Sequence, residues 1–216
     1  MTVENLKHFN DRLKFFWATQ VTRIRVCYML AKYSHRHDTR KEIGPNGPIR
    51  YFEHARRVAL IVLDEVGVKR DHERASDLIC AALLHDCLED SHTVDKVILE
   101  SVAGKCVASS VVALSKQYVV DHMLDSSQVV VPHSEYATNL LRSEDWVVPL
   151  VKLCDRVDNM RHLDDCSHAF RKRQAEETSI TYLDGFRSML SKLPNEYKVP
   201  ATSLVAELER LCEGYA

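Results

Sequence analysis

Apolar residues recur along most of this chain with helical spacing. Leu13, Phe16, Trp17 and Val21 fall on one stripe, and Val26, Met29, Leu30 and Tyr33 on the next. A breaker-rich loop, Ile43-Gly-Pro-Asn-Gly-Pro-Ile-Arg50, interrupts the pattern. Beyond it the spacing predicts a helix over residues 51–65, stopped by Gly67, and another over 75–89 that turns Leu78, Ala81 and Ala82 to a core. Asp90-Ser91 closes that element, and Ser91 or Thr93 is placed to cap the next. Residues 94–115 read as two short helices split near Gly104. Residues 116–135 are the least regular, and only 127–131 alternates with the period of two that a strand requires. Further helices are predicted over 136–141, 147–160 and 169–193, then a turn over 195–200 and an amphipathic helix over 201–212. There is no internal repeat and no low-complexity tract. The expected fold class is therefore all-α, one helical bundle with residues 1–216 as a single domain.

Composition sharpens this picture by exclusion. The chain has 216 residues, 45% of them hydrophobic, which suffices for a real core. A net charge of −2 offers no field for nucleic acid or an anionic membrane, so neither is expected as a partner. No stretch approaches the roughly 20 apolar residues that span a bilayer, and the charged N-terminal segment has no leader-like apolar stretch. The cysteines number seven, and no C-x-x-C spacing occurs. That argues against a disulfide framework and a zinc knuckle, and for a reducing cytoplasmic setting. Cys27, Cys80, Cys87 and Cys154 lie in apolar runs and are expected to be buried; Trp17 and Trp146 read as core anchors.

Chemistry concentrates where apolar runs end. Ala81-Ala-Leu-Leu-His-Asp-Cys-Leu-Glu-Asp90 delivers His85 and Asp86 side by side, with Glu89 and Asp90 one turn on. On a continuous helix these four would share an arc of about 140°. Acids crowded on a buried helix are costly unless a cation compensates, and a divalent metal does so. A lone His-Asp pair is far more often an ordinary solvated helix end. A second segment repeats the logic: Val147-Val-Pro-Leu-Val-Lys-Leu-Cys-Asp-Arg-Val-Asp-Asn-Met160 runs apolar into Asp155, with Arg156 beside it and Asn159 a turn later. Upstream, Tyr51-Phe-Glu-His54 adds a second imidazole. Two imidazoles and two carboxylates form a mixed nitrogen and oxygen donor set suited to Mn²⁺, Fe²⁺ or Zn²⁺. Arg36, Arg40, Lys41, Arg50, Arg56 and Arg57 gather positive charge near His54, fit either for a solvated surface or for a substrate rich in phosphate.

Taken in order, Arg40-Lys41, Tyr51-Phe-Glu-His54, Ala81 to Asp90, Lys152 to Arg161, and Glu177-Thr178 with Tyr182 resemble the motifs of the RelA/SpoT family's HD hydrolase domain. The similarity covers about residues 27–190, and the length resembles a stand-alone small alarmone hydrolase. The resemblance implies metal ligands His54, His85, Asp86 and Asp155, with Mn²⁺ the expected ion. It makes Glu89 and Asp90 the catalytic acids. Arg40 would lie against a guanine base, Lys41 and Lys116 near phosphates, and Asn159 against the sugar or base. The implied reaction is removal of the 3′-pyrophosphate from guanosine tetra- or pentaphosphate (ppGpp or pppGpp). The family's synthetase domain is not expected, since the sequence stops at Ala216.

The sequence also departs from the family's pattern. Asp38 replaces a glutamine, Arg50 and Ala55 replace prolines, Asp158 replaces a histidine, and the loop from Lys41 to Arg50 is longer. These changes are expected to alter substrate contacts. They leave open a phosphohydrolase for adenine alarmones or for the 2′-phosphate of NADPH. An antitoxin acting by alarmone hydrolysis would look the same. A pure binding protein would not need all four ligands and both acids.

Overall fold

The computed structural model describes residues 6–44, 47–72, 74–90 and 94–215. In chain order the elements are α1 (Leu6–Leu13), α2 (Ala18–Ser34), β1 (Thr39–Gly44), β2 (Gly47–Arg50) and α3 (Phe52–Leu60), which runs into a π-helical turn at Ile61–Glu65. There follow α4 (Ala75–Leu84), α5 (Cys87–Asp90), α6 (Lys96–Ala103), α7 (Lys105–Leu114), β3 (Gln117–Asp121) and β4 (Asp125–Val130). The chain continues through α8 (His133–Arg142), α9 (Val147–Arg161), α10 (His168–Thr181), α11 (Leu183–Met189) and α12 (Asn195–Gly214). No helix among the described residues is long and apolar enough to cross a membrane.

Two helices organise the interior. Every residue of α4 except Asp77 is buried, as is α9 from Val147 to Met160 except Asn159. Both pack on α3, on each other and on α7, so a single apolar core extends from Phe9 and Leu13 to Leu208 and Cys212. All-round burial of α4 follows from its composition, Leu-Ile-Cys-Ala-Ala-Leu-Leu without a polar face. Cys27, Cys80, Cys87 and Cys154 are buried, as their apolar neighbours predict.

The helical expectation holds for most of the chain, with two antiparallel hairpins added. The hairpin of β1 and β2 pairs Thr39 with Arg50 and Ile43 with Pro48 across the Gly/Pro segment read as a plain loop. That of β3 and β4 pairs Gln117 with Val130 and Val119 with Gln128, taking in most of the residues that alternated. Asp95 rather than an earlier residue caps α6: it accepts the Ile98 N–H at 2.8 Å and the His122 N–H at 2.9 Å, tying the second hairpin to the helix. Ser91 and Thr93, the expected caps, lie outside the described residues. Gly104, at φ +83°, separates α6 from α7 as expected.

Other differences are local. The helix expected over 169–193 breaks at Tyr182, whose ring is fully buried. The expected turn over 195–200 is instead the start of α12, which carries Pro200 as its sixth residue and forgoes the N–H that a regular helix would give to the Glu196 carbonyl. On α2 the buried face is Ile24, Cys27, Tyr28 and Ala31. Trp17 is 53% exposed and carries the Arg70 guanidinium over its ring, so it is not a core anchor. Trp146 is half-buried against His72 and Tyr197.

Candidate metal centre and the adjoining cavity

His54 is buried on α3, Asp155 is buried in the middle of α9, and His85 with Asp86 forms the turn after α4. The helix expected to run through residue 89 stops at Leu84. His85 Nδ1 engages the Ala82 carbonyl at 2.9 Å, the acceptor a continuing helix would offer the Asp86 N–H. The chain restarts as α5, so Glu89 is aimed by a separate short helix rather than by the α4 axis.

One donor atom each from His54, His85 and Asp155 lie within 4.8 Å of one another. His54 Nε2 is 3.1 Å and His85 Nε2 3.7 Å from Asp155 Oδ1. Asp86 Oδ2 stands 3.0 Å from His85 Nε2 and 3.8 Å from His54 Nε2. Yet both Nε2 atoms are buried without a hydrogen bond of acceptable geometry. Buried polar atoms are rarely left so, and each needs a reason. Buried donors this close together, with both Nε2 atoms left without a hydrogen bond, fit a divalent cation. The other ring nitrogens are engaged, His54 Nδ1 by Asp158 Oδ2 at 2.6 Å and His85 Nδ1 by Ala82.

The electrostatics match. Despite burial, Asp86 and then Asp155 hold His85 well above the usual histidine range. Asp155 overcomes its own burial chiefly through Lys152, whose Nζ lies 2.8 Å from Oδ2, and sits well below the carboxylate range. Asp86 is likewise depressed against burial, mainly by His85, and it accepts the Tyr51 hydroxyl at 2.7 Å. A cation entering this cluster would replace proton charge already concentrated there, with release of protons. Glu89 behaves oppositely: burial, then the charge of Asp86, pushes it up, while the Lys116 N–H pulls it back. That N–H reaches Glu89 Oε1 at 2.6 Å. The side chain of Asp90 lies outside the described residues.

Beside this cluster opens a cavity of about 330 Å³, lined among others by Arg40, Lys41, Glu42, Tyr51, Asn159 and Phe170. Arg40 bonds Asn159 Oδ1 through Nη2 and Glu42 through Nε at 3.3 Å, over the Tyr51 ring. Asn159 in turn donates to Asp155 Oδ1 at 2.6 Å, so the cavity wall and the metal cluster share a residue. Lys41 Nζ lies 4.1 Å from the centre of the Phe170 ring, which Arg173 also approaches at 5.1 Å. Lys116 meets the acid through its backbone, and its ammonium lies over Tyr136. Arg56 and Arg57 do not add to a free positive seat, because they are committed to Glu53 and to Asp158 and Glu42. Thr178 and Tyr182 are core: both engage Arg156 and brace α9.

Three contributors were not singled out from sequence. Tyr51 supports Asp86, Lys152 supports Asp155, and Asp158 meets His54 rather than the cavity. Tyr51 and Lys152 sit inside the quoted motifs, and Asp158 was visible only as a departure from them.

Geometry and comparison agree on the class. The chain belongs to the HD-domain family, which it matches over residues 28–184. Within that family its similarity is to RelA/SpoT proteins. It is 32% identical over 168 residues to the bifunctional (p)ppGpp synthase/hydrolase SpoT of Escherichia coli K12, covering 76% of this chain and 21% of that protein. It is 34% identical over 177 residues to guanosine-3′,5′-bis(diphosphate) 3′-pyrophosphohydrolase of Aquifex aeolicus, covering 80% and 22%. The chain thus spans about a fifth of the length of these relatives. A solved structure described as a metazoan ortholog of SpoT that hydrolyzes ppGpp superposes with a TM-score of 0.61 at 21% identity, over 84% of this chain and 93% of that one. That likeness establishes the fold.

Proposed function

We propose that this chain is a divalent-metal phosphohydrolase that removes the 3′-pyrophosphate of guanosine tetra- or pentaphosphate, giving GDP or GTP and pyrophosphate. The observation that carries the chemistry is the pair of buried, unbonded Nε2 atoms facing buried carboxylates at the edge of a cation-lined cavity. The names of the relatives supply the substrate class. His54, His85, Asp86 and Asp155 would hold the ion, which we take to be Mn²⁺; the donor set suits Fe²⁺ and Zn²⁺ as well. Such an ion supplies Lewis acidity toward a phosphoryl oxygen and lowers the pKa of water.

The protein's own groups do the rest. Glu89 has one carboxylate oxygen fixed by the Lys116 N–H, leaving Oε2 to take a proton from the attacking water. Its raised pKa brings it closer to working pH, where general bases are most effective. Asp90 is assigned as its acidic partner. Lys41 offsets phosphate charge, Arg40 stacks on the base, and Asn159 and Lys116 complete the nucleotide contacts. A continuous core from Phe9 to Cys212 supports residues 1–216 acting as one hydrolase domain, and seven free cysteines support a reducing cytoplasmic setting.

The test is to incubate Mn²⁺-loaded protein with ppGpp, pppGpp, their adenine counterparts and NADPH, and to separate the products by chromatography. GDP or GTP with pyrophosphate is expected. Orthophosphate release from NADPH, or turnover of adenine substrates alone, would overturn the guanine assignment.

A further inference from the structure

We propose that Asp158 is a positioning residue for the metal centre: held by Arg57, it fixes the proton of His54 on Nδ1 and so turns Nε2, as a lone pair, toward the ion. This rests on the metal-centre reading above and not on the identity of the nucleotide. Asp158 Oδ2 lies 2.6 Å from His54 Nδ1 and the carboxylate is only 1% exposed. Arg57 grips it through both oxygens, Nε to Oδ1 at 2.8 Å and Nη2 to Oδ2, the oxygen shared with His54, at 3.1 Å. Glu42 holds Arg57 in turn, at 2.8 Å. Just past the end of α9, His162 Nδ1 meets the Asp158 carbonyl at 2.8 Å and lies 3.4 Å from its Oδ1. Both oxygens of the carboxylate and the Nε and Nη2 of the guanidinium facing it are thus engaged.

The consequence is chemical. An ionised carboxylate only accepts hydrogen bonds, so the shared proton belongs to His54 Nδ1 and Nε2 is left as the electron-pair donor. A charged acceptor behind a ligating imidazole also raises its basicity toward metal. His85 reaches the same tautomer by a weaker route, through the neutral Ala82 carbonyl. The two imidazoles are therefore held unequally, and His54 depends on one side chain, that of Asp158. The departure that the sequence placed among the substrate contacts thus belongs to the ion's support.

The experiment measures Mn²⁺ affinity by the electron-paramagnetic-resonance signal of the free ion, for the unmutated protein, Asp158→Asn and Asp158→Ala, with circular dichroism confirming the fold. Asp158→Ala should weaken binding by about 10–100-fold, with Asp158→Asn intermediate because an amide oxygen still accepts. Long-range ¹H–¹⁵N spectra of the metal-free protein, at a pH where the imidazoles are neutral, supply the readout a structural role would not move. They should place the His54 proton on Nδ1 in the unmutated protein and shift population to Nε2–H in the variants. Folded variants with unchanged Mn²⁺ affinity overturn the proposal. So does an Nε2–H tautomer in the unmutated protein, a result that needs no variant to fold. A protein that hydrolyses none of the nucleotides but passes these tests leaves the positioning role standing. One that binds no divalent ion overturns both it and the metal centre.

Discussion

The metal-facing donors stand on α3, α9 and the turn after α4, segments buried on nearly every side, whereas the cations lining the cavity, Arg40 and Lys41, stand on a two-stranded hairpin. The two regions also handle charge differently. Around the metal cluster every supporting group is engaged: Tyr51 on Asp86, Lys152 and Asn159 on Asp155, Asp158 on His54. Around the cavity, Lys41 is exposed and lies over the face of Phe170, while Arg40 is drawn inward to Glu42 and Asn159. Rigid ligand geometry comes from helices whose other faces are locked in the core. A seat for a flexible polyphosphate can be built from a few cations on mobile stems. The comparison implies that damage to the cluster should be severe and indifferent to substrate, and damage to the cavity moderate and substrate-dependent.

The harshest break is Asp155→Ala. It removes a ligand and strands Lys152 as a buried unpaired cation, a loss of about 3–5 kcal/mol for such pairs. Turnover should vanish for every substrate, with metal content falling in parallel by atomic absorption. Full activity with metal retained would show that Asp155 is no ligand. Next in size is Glu89→Gln, which preserves shape and can still accept the Lys116 N–H. Metal should stay bound while turnover falls by roughly 10²–10⁴-fold, the usual range for losing a general acid–base group. Loss of metal would instead move Glu89 among the ligands.

Cavity substitutions should be milder. Arg40→Lys removes the planar group that bridges Glu42 and Asn159 over Tyr51, so KM should rise by about tenfold with metal content intact. Lys41→Ala should lower kcat as well, since a phosphate contact strengthens as charge moves to the leaving pyrophosphate. Steady-state kinetics at two salt concentrations separate the two, because the exposed Lys41 should be the more salt-sensitive. Unchanged kinetics for Arg40→Lys would place the base elsewhere.

The same contrast explains what could be read from the sequence. Residues of α4 and α9 announce themselves because unbroken apolar runs must be buried, so a donor at their ends is conspicuous. The break at His85 was hidden, since it depends on a side chain competing for one carbonyl. The misjudged face of α2 has a related cause: Trp17, Val26, Met29 and Tyr33 share helical spacing with the core-facing set, and periodicity cannot say which of two apolar stripes is covered. Charge was the least legible quantity. Six cations near His54 looked like one basic patch, yet Arg56 and Arg57 are neutralised by acids distant or adjacent in sequence. Only the folded arrangement assigns partners.

The smallest predicted effect tests whether acid sensitivity is peculiar to the cluster. Asp145, outside the site, accepts from Arg74, from Ser110 Oγ at 2.6 Å and from the Val147 N–H at 3.2 Å. Its carboxyl is held below the usual range: burial opposes ionisation, but the Arg74 and Ser110 hydrogen bonds outweigh it. A folded-state pKa below the unfolded one contributes stability that is full above the unfolded value and disappears as pH falls through the folded one. Asp145→Asn should therefore cost about 1 kcal/mol near pH 7, a modest figure because the pair is partly exposed to screening water. The gap from the unmutated protein should start to close as pH falls below the unfolded aspartate value of about 3.9, and go on closing until pH has passed the lower folded one. Over the same range both proteins should keep losing stability, because Asp86, Asp155 and Asp158 are depressed too and must also take up protons. Urea unfolding of the two metal-free proteins across that range checks it. If acid instability disappeared with Asp145, the buried cluster would not be its main source, and the contrast between a charge-locked floor and an open rim would lose its energetic basis.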